Sequence, residues 1–127
     1  MRHLLDVNAL IALAHRSHVR HARALGWFQA TRASGDALGT CAITELGFVR
    51  VAVQADVASA RKALEQLKKS SPVPFELLAD DLGADRLPGF AKTPAKLMDG
   101  HLLELARRHQ AQLVTLDTGI PGALLVP

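Results

Sequence analysis

Short apolar runs alternate with longer stretches of helical periodicity along this chain. The first run, His3-Leu4-Leu5-Asp6, has strand character and stops at a carboxylate. Residues 8–14 follow with Leu10, Ile11 and Leu13 apolar, and residues 18–33 predict a second helix on which Ala22, Leu25 and Gln29 share a face and Trp27 and Phe28 add bulk. Ser34-Gly35-Asp36 breaks that helix, and residues 37–41 suit a short strand. Residues 44–53 predict a helix with Leu46, Val49 and Val53 on one stripe; residues 57–69 predict another carrying Val57, Ala60, Leu64 and Leu67. Ser70-Ser71-Pro72-Val73-Pro74 ends it. Residues 75–78 read as a strand or a short extended segment, 87–94 as a loop, and 97–109 as a strong helix. Leu113-Val114-Thr115-Leu116-Asp117 is a second buried strand that stops at a carboxylate, and residues 123–126 suit a final edge strand. Apolar strands alternating with helices predict an α/β fold, with a mainly parallel sheet covered on both sides. Such sheets bind ligands outside the carboxyl ends of their strands, where Asp6 and Asp117 stand.

Composition narrows the class. A chain of 127 residues suits one compact domain over residues 1–127, and 49% hydrophobic residues can fill one core. No apolar run approaches the ~18 residues of a membrane span, and Asp6 and Asn8 interrupt the first apolar stretch, so neither a membrane anchor nor a secretion signal is expected. Cys41 is the lone cysteine, which excludes an internal disulfide and a cysteine-based zinc cluster and suits a reducing cytoplasm. A formal net charge of +3 is a mild bias toward polyanions. One Trp, four Phe and no Tyr argue against a base-stacking platform, so a nucleic acid would be held through phosphates and shape.

The acids carry the candidate chemistry. Asp is a poor strand residue, yet Asp6 and Asp117 each close an apolar strand; a helix cap or a turn explains either one alone. Glu45, in Thr44-Glu45-Leu46-Gly47, and Asp99, in Met98-Asp99-Gly100-His101, fall in early helical turns, where dipole complementarity again explains one residue but not four gathered at one end of a sheet. Two carboxylates ~5 Å apart repel by ~3 kcal/mol at an effective dielectric near 20, and Mg²⁺ or Mn²⁺ removes the conflict because hard cations take oxygen ligands.

These residues, in the order Asp6-x-Asn8, Thr44-Glu45, Asp99 and Leu116-Asp117, resemble the PIN domains, in particular the VapC-type toxins of bacterial toxin–antitoxin pairs. His21-Ala22 ahead of Trp27-Phe28, Glu45-Leu46-Gly47-Phe48-Val49-Arg50, Asp99-Gly100-His101-Leu102 and Thr115-Leu116-Asp117 extend the likeness over nearly the whole chain. The resemblance implies a three-layer α/β/α sandwich around a mainly parallel sheet of four to five strands. It implies an endoribonuclease that cleaves RNA phosphodiesters with metal-activated water, with Asp6, Glu45, Asp99 and Asp117 as metal ligands for Mg²⁺ or Mn²⁺. Asn8 and Thr115 or Thr118 match supporting positions, and Arg50 falls where it could contact substrate or antitoxin. A VapB-type antitoxin, a homodimer and a cytoplasmic location are further implications. One departure is Met98, where the family often has Thr or Ser, which bears on a local cap and a hydroxyl contact.

Other arrangements fit less well. His15, His18 and His21 have a spacing that could align imidazoles for Zn²⁺ or Ni²⁺, but no carboxylate lies beside them in sequence. Arg16, Arg20, Arg23 and Arg32 form either a solvated face or a phosphate-contacting rim. A non-catalytic α/β protein-binding module with an acidic pocket, such as a receiver, should carry paired acids after its first strand and a late Lys; a dehalogenase-like phosphatase needs Asp-x-Asp, where this chain has Asp6-x-Asn8.

Overall fold

The computed structural model describes residues 1–53, 56–71 and 75–127. Among the described residues five strands, β1 (Arg2–Leu5), β2 (Ala37–Cys41), β3 (Glu76–Leu78), β4 (Ala111–Thr115) and β5 (Leu124–Leu125), form one sheet in the spatial order β3-β2-β1-β4-β5. Every pair is parallel. The helices are α1 (Val7–Ala14), α2 (His21–Ala33), α3 (Ala42–Ala52), α4 (Val57–Lys69) and α5 (Pro94–Arg108), with a 3-10 turn over Ala84–Arg86. Among the described residues no helix is long and apolar enough to cross a membrane.

The strand order explains why the strands read as continuous apolar runs. From central β1 the chain moves outward to β2 and β3, then returns to β4 on the other side of β1. Crossovers of one hand therefore put the helices of the two journeys on opposite faces. Successive strand residues point to opposite faces, and both faces are covered. Leu5 and Val114 pack with Leu10, Phe28, Phe48 and Leu64 from α1 to α4. Their neighbours Leu4 and Leu113 pack with Leu102, Leu105 and Ala106 of α5. The result is the α/β/α arrangement expected from the sequence, with the sheet wholly parallel.

Several boundaries and faces differ from the sequence expectation. Residues 18–20 form turns and a bend instead of joining α2, because the His18 ring accepts the Arg20 amide at 3.0 Å, a local bond that competes with helix. The buried face of α2 is Ala24, Phe28 and Thr31, while Ala22 and Gln29 are exposed. On α3 the expected stripe holds only at Val49, which packs against the core; Thr44 and Phe48 are buried, while Leu46 and Val53 are 70% and 39% exposed. This segment is apolar on nearly every side, so periodicity could not choose the face, and packing against α1 and α4 chose Phe48. Helix α5 starts three residues early, with Thr93 as its N-cap and Pro94 in its first turn, a position where a missing N–H costs nothing. Strand β4 ends at Thr115, two residues before Asp117. The next amide, that of Leu116, bonds to Asn8 Oδ1 at 3.1 Å. Of the break expected after α4, residues 72–74 lie outside the described residues.

Candidate active site

In an open parallel sheet the crevice opens where the strand order reverses. Here that point lies between β1, which leads outward, and β4, which the chain reaches on its return. Asp6 follows β1 directly and is the N-cap of α1, its Oδ1 accepting the Val7 amide at 2.7 Å. The bland explanation of Asp6 as a cap therefore holds for one oxygen. The other, Oδ2, accepts the hydroxyl of Thr115 at 3.0 Å.

Thr115, itself 1% exposed, organises the junction. Its Oγ1 accepts the Asp117 amide at 3.0 Å and the Asn8 side-chain amide at 3.3 Å, leaving its single proton for Asp6. Asn8, with its oxygen on the Leu116 amide, ties the start of α1 to the end of β4. Asp117 follows in an exposed turn in which its Oδ1 accepts the Gly119 amide at 3.3 Å. Thr118 is exposed and takes no part in these contacts among the described residues.

Asp99 comes from the opposite layer. It lies in the second turn of α5, beyond the reach of the helix-terminus explanation offered by its early position in the sequence. Met98 is half exposed in the second turn, so no cap depends on it; the N-cap position is Thr93, five residues earlier, whose side chain makes no capping hydrogen bond. Burial first, then the charge of Asp117, hold the Asp99 carboxyl above the usual range, with Lys96 opposing them. Asp6 is also raised. Its burial outweighs the hydrogen bonds from Val7 and Thr115, and the charges of Asp99 and Asp117 add to the rise. Three of the four expected carboxylates thus sit within electrostatic reach of one another at the switch point.

Glu45 is held differently. The Thr44 hydroxyl accepts the Cys41 amide at 3.0 Å and donates to the Cys41 carbonyl at 3.1 Å, closing the turn from β2 into α3. This places Glu45 at the same carboxyl edge of the sheet, in the first turn of α3. Its Oε2 accepts the Thr40 hydroxyl and the Lys68 ammonium, the latter at 2.8 Å. Among the described residues no three His, Cys, Asp or Glu side chains stand at metal-ligating spacing. The acids form an oxygen-only, like-charged group without closing into a cage.

Most of the basic and histidine residues singled out in the sequence make structural contacts. The His15 and His21 rings contact the carbonyls of Ile11 and Ala12 through Nδ1 at 3.0 and 2.7 Å, so both serve the C-terminal turn of α1, where the His15 amide also bonds to Ile11. Arg20 donates to the Leu116 carbonyl at 3.0 Å and Arg23 to that of Val126 at 2.9 Å. Arg32 covers the Phe28 ring at 5.5 Å. His101 pairs with Asp80 at 2.6 Å, and Arg50 is exposed in the last turn of α3. Sequence reasoning missed Thr40, Lys68 and Lys96. The Lys96 ammonium reaches the Gly119 carbonyl at 3.0 Å, beside Asp99. Its spacing of three from Asp99 on a helix was a usable signal; nothing in the sequence joins Lys68 to Glu45.

A parallel α/β domain with carboxylates converging on its switch point defines a class, and the family profile agrees: that of the PIN domain matches residues 3–122. The chain belongs to the PIN-domain family. A relative from Mycobacterium tuberculosis, named Ribonuclease VapC38, is 43% identical over 92% of this chain and 86% of its own length. The crystal structure of Mycobacterium tuberculosis VapC20, described as a sarcin-ricin loop cleaving toxin, superposes with a TM-score of 0.63 at 15% identity, covering 93% of this chain and 92% of that one. That of VapBC2 from Rickettsia felis, bound to a DNA fragment from its promoter, gives 0.64 at 13% identity, covering 98% and 97%.

Proposed function

We propose that this chain is a metal-dependent endoribonuclease, a single PIN domain over residues 1–127, acting as the toxin of a type II toxin–antitoxin pair. The observation that carries the reading is that Asp6 and Asp117 follow β1 and β4 at the switch point, with Asp99 close enough for its charge to act on Asp6, in a chain 43% identical to a protein named a ribonuclease. Burial and mutual repulsion both disfavour the charged form of Asp6 and Asp99, and a divalent cation relieves both. The donors are hard oxygens, which fit Mg²⁺ or Mn²⁺. Asp6, Asp99 and Asp117 would hold the ion, with Glu45 as the fourth carboxylate. When bound, the ion supplies Lewis acidity and neutralises charge developing on the phosphate.

The chain's own residues do the positioning. The Thr115 hydroxyl fixes Oδ2 of Asp6, and Asn8 locks the two strand ends in register. Lys96, anchored on the Gly119 carbonyl, provides a cation at the rim for an approaching phosphate. Arg50 is available to RNA or to an antitoxin. The partner is a VapB-type protein, by analogy with the VapBC2 assembly; a homodimer in the cytoplasm completes the reading.

The test incubates the purified chain with labelled structured RNA in Mg²⁺, in Mn²⁺ and in EDTA, alongside Asp99→Asn in metal. Discrete cleavage that EDTA and Asp99→Asn both abolish is the expected result. A wild type that neither cleaves RNA nor binds Mn²⁺ in a calorimetric titration overturns the reading.

A further inference from the structure

We propose that Lys68 is a positioning residue that holds Glu45 and competes with the divalent cation for it, so that the affinity of the site for metal is set partly by this lysine. The proposal rests on the metal-dependent reading above.

The observations concern one oxygen. Oε2 of Glu45 accepts both the Lys68 ammonium at 2.8 Å and the hydroxyl of Thr40, which is fully buried. The two side chains of the ion pair are 30% and 24% exposed. The neighbouring lysine offers a comparison within the same helix turn. Lys69 pairs with Glu65 one turn back on α4 at 3.3 Å, with both side chains largely exposed (74% and 62%), which is an ordinary solvated helix pair. Lys68 instead leaves its own helix and reaches Glu45 on α3.

The chemistry follows from charge and space. A cation next to Glu45 does for this carboxylate what a divalent ion does for the aspartates: it offsets the cost of holding a negative charge away from bulk water. An ammonium within hydrogen-bond distance of Oε2 also keeps a second cation from that oxygen. For Glu45 to join the ion held by Asp6, Asp99 and Asp117, it must either release Lys68 or offer Oε1 with the ammonium still beside it, and both weaken its hold on the ion. In the absence of the ion the same contact ties α3 to α4 and keeps a charged, half-buried group satisfied. Lys68 therefore stabilises the metal-free protein and weakens metal binding, two effects that a purely structural brace would not combine.

The test uses the whole chain as wild type, Lys68→Met, Lys68→Arg and the double variant Lys68→Met with Glu45→Gln. Each is titrated with MnCl₂ by calorimetry, and its thermal unfolding is followed with and without Mn²⁺. Lys68→Met should bind Mn²⁺ about tenfold more tightly, the scale of one partly solvated charge contact. It should melt below wild type without Mn²⁺ and gain more than wild type from its addition. Lys68→Arg should behave as wild type, and the double variant should lose the gain in affinity. Should Lys68→Met fail to fold, Lys68→Gln makes the same comparison. If the Lys68 variant melts lower yet binds Mn²⁺ no more tightly, Lys68 is a brace and the proposal falls, while a wild type that binds Mn²⁺ and cleaves RNA leaves the nuclease reading standing. A wild type that takes up no Mn²⁺ overturns both.

Discussion

Replacing Thr115 by Val keeps the shape of a side chain that is 1% exposed and removes only its hydroxyl. That hydroxyl donates to Asp6 at 3.0 Å and accepts from the Asp117 amide at 3.0 Å and the Asn8 amide at 3.3 Å. A hydrogen bond to a charged group contributes ~1.5–3 kcal/mol and each neutral one ~1 kcal/mol, but Asp117 is exposed and its amide can turn to water, so the expected loss is ~2–4 kcal/mol. With an unfolding entropy of ~2.1 cal/mol/K per residue over 127 residues, a loss of ~3 kcal/mol lowers Tm by about 10 °C. The pH dependence gives a second readout. The Thr115 bond is one of the contacts that lower the Asp6 pKa, against a larger effect of burial, so its removal raises the Asp6 carboxyl further. A group whose folded pKa lies above its unfolded value contributes stability at low pH and loses it as pH rises through the folded pKa. The deficit of Thr115→Val should therefore be largest near pH 8 and narrow toward pH 4. Urea unfolding across this range, with Thr115→Ser as the hydroxyl-retaining control, measures both. If Thr115→Val is as stable as Thr115→Ser at pH 8, or if its deficit does not narrow in acid, the hydroxyl is not what holds this junction.

The raised carboxyls of Asp6 and Asp99 predict a cost to stability at high pH. Asp99→Asn should raise the stability of the metal-free chain by ~1 kcal/mol near pH 8. The gain should fade in acid, since the raised Asp99 carboxyl destabilises the fold only as pH climbs through its folded pKa; a less stable variant at pH 8 contradicts this. Asp80 has the opposite sign. Burial opposes its charge, but hydrogen bonds from His101 and the Leu82 amide prevail and hold the carboxyl below its ordinary range. Its contribution is present above the usual aspartate pKa and disappears as pH falls through the folded value. Asp80→Asn should accordingly cost ~1–2 kcal/mol at neutral pH and little in strong acid, by thermal unfolding against pH. Gly100→Ala would place a methyl 2.6 Å from Ala91 Cβ and 3.2 Å from Pro88 Cδ. Overpacking of ~1–3 kcal/mol should exceed the ~1 kcal/mol gained in helix propensity, so the variant should melt lower, and an unchanged or higher Tm means that the 88–91 loop yields freely.

How far the sequence discloses this protein depends on the range over which each feature is decided. Asp6 and Asp117 are legible because the runs before them are mainly apolar and the polar residues buried within them, His3 and Thr115, carry no carboxylate, so an aspartate ending such a run marks the carboxyl edge of the sheet. Asp99 is legible as an acid on an amphipathic helix, although its turn is misjudged because Thr93-Pro94 starts α5 earlier than the apolar pattern does. The α3 stripe is illegible because Leu46, Val49, Val51 and Val53 offer periodicity on several sides, and only the neighbouring helices select Phe48. The histidines mislead by spacing, since three residues apart suggests a shared ligand while His15 and His21 serve separate carbonyls of α1. Lys68 and Glu45 meet across 23 residues of chain. No local pattern encodes that meeting, which comes from the way α3 and α4 pack.

The position of β1 in the sheet has a bearing on how the protein comes into being. Its pairing with β2 closes a short segment of chain, whereas its other edge waits for β4, and Thr115 is 109 residues from Asp6. A polypeptide emerging from its N-terminus can fold β1, β2 and the helices between them while the crevice still has only one wall. Asp117 can reach Asp6 only after β4 has been made and has docked beside β1. A growing chain that has not yet made β4 therefore carries Asp6 as an ordinary capping aspartate, without the carboxylates that neighbour it in the folded protein.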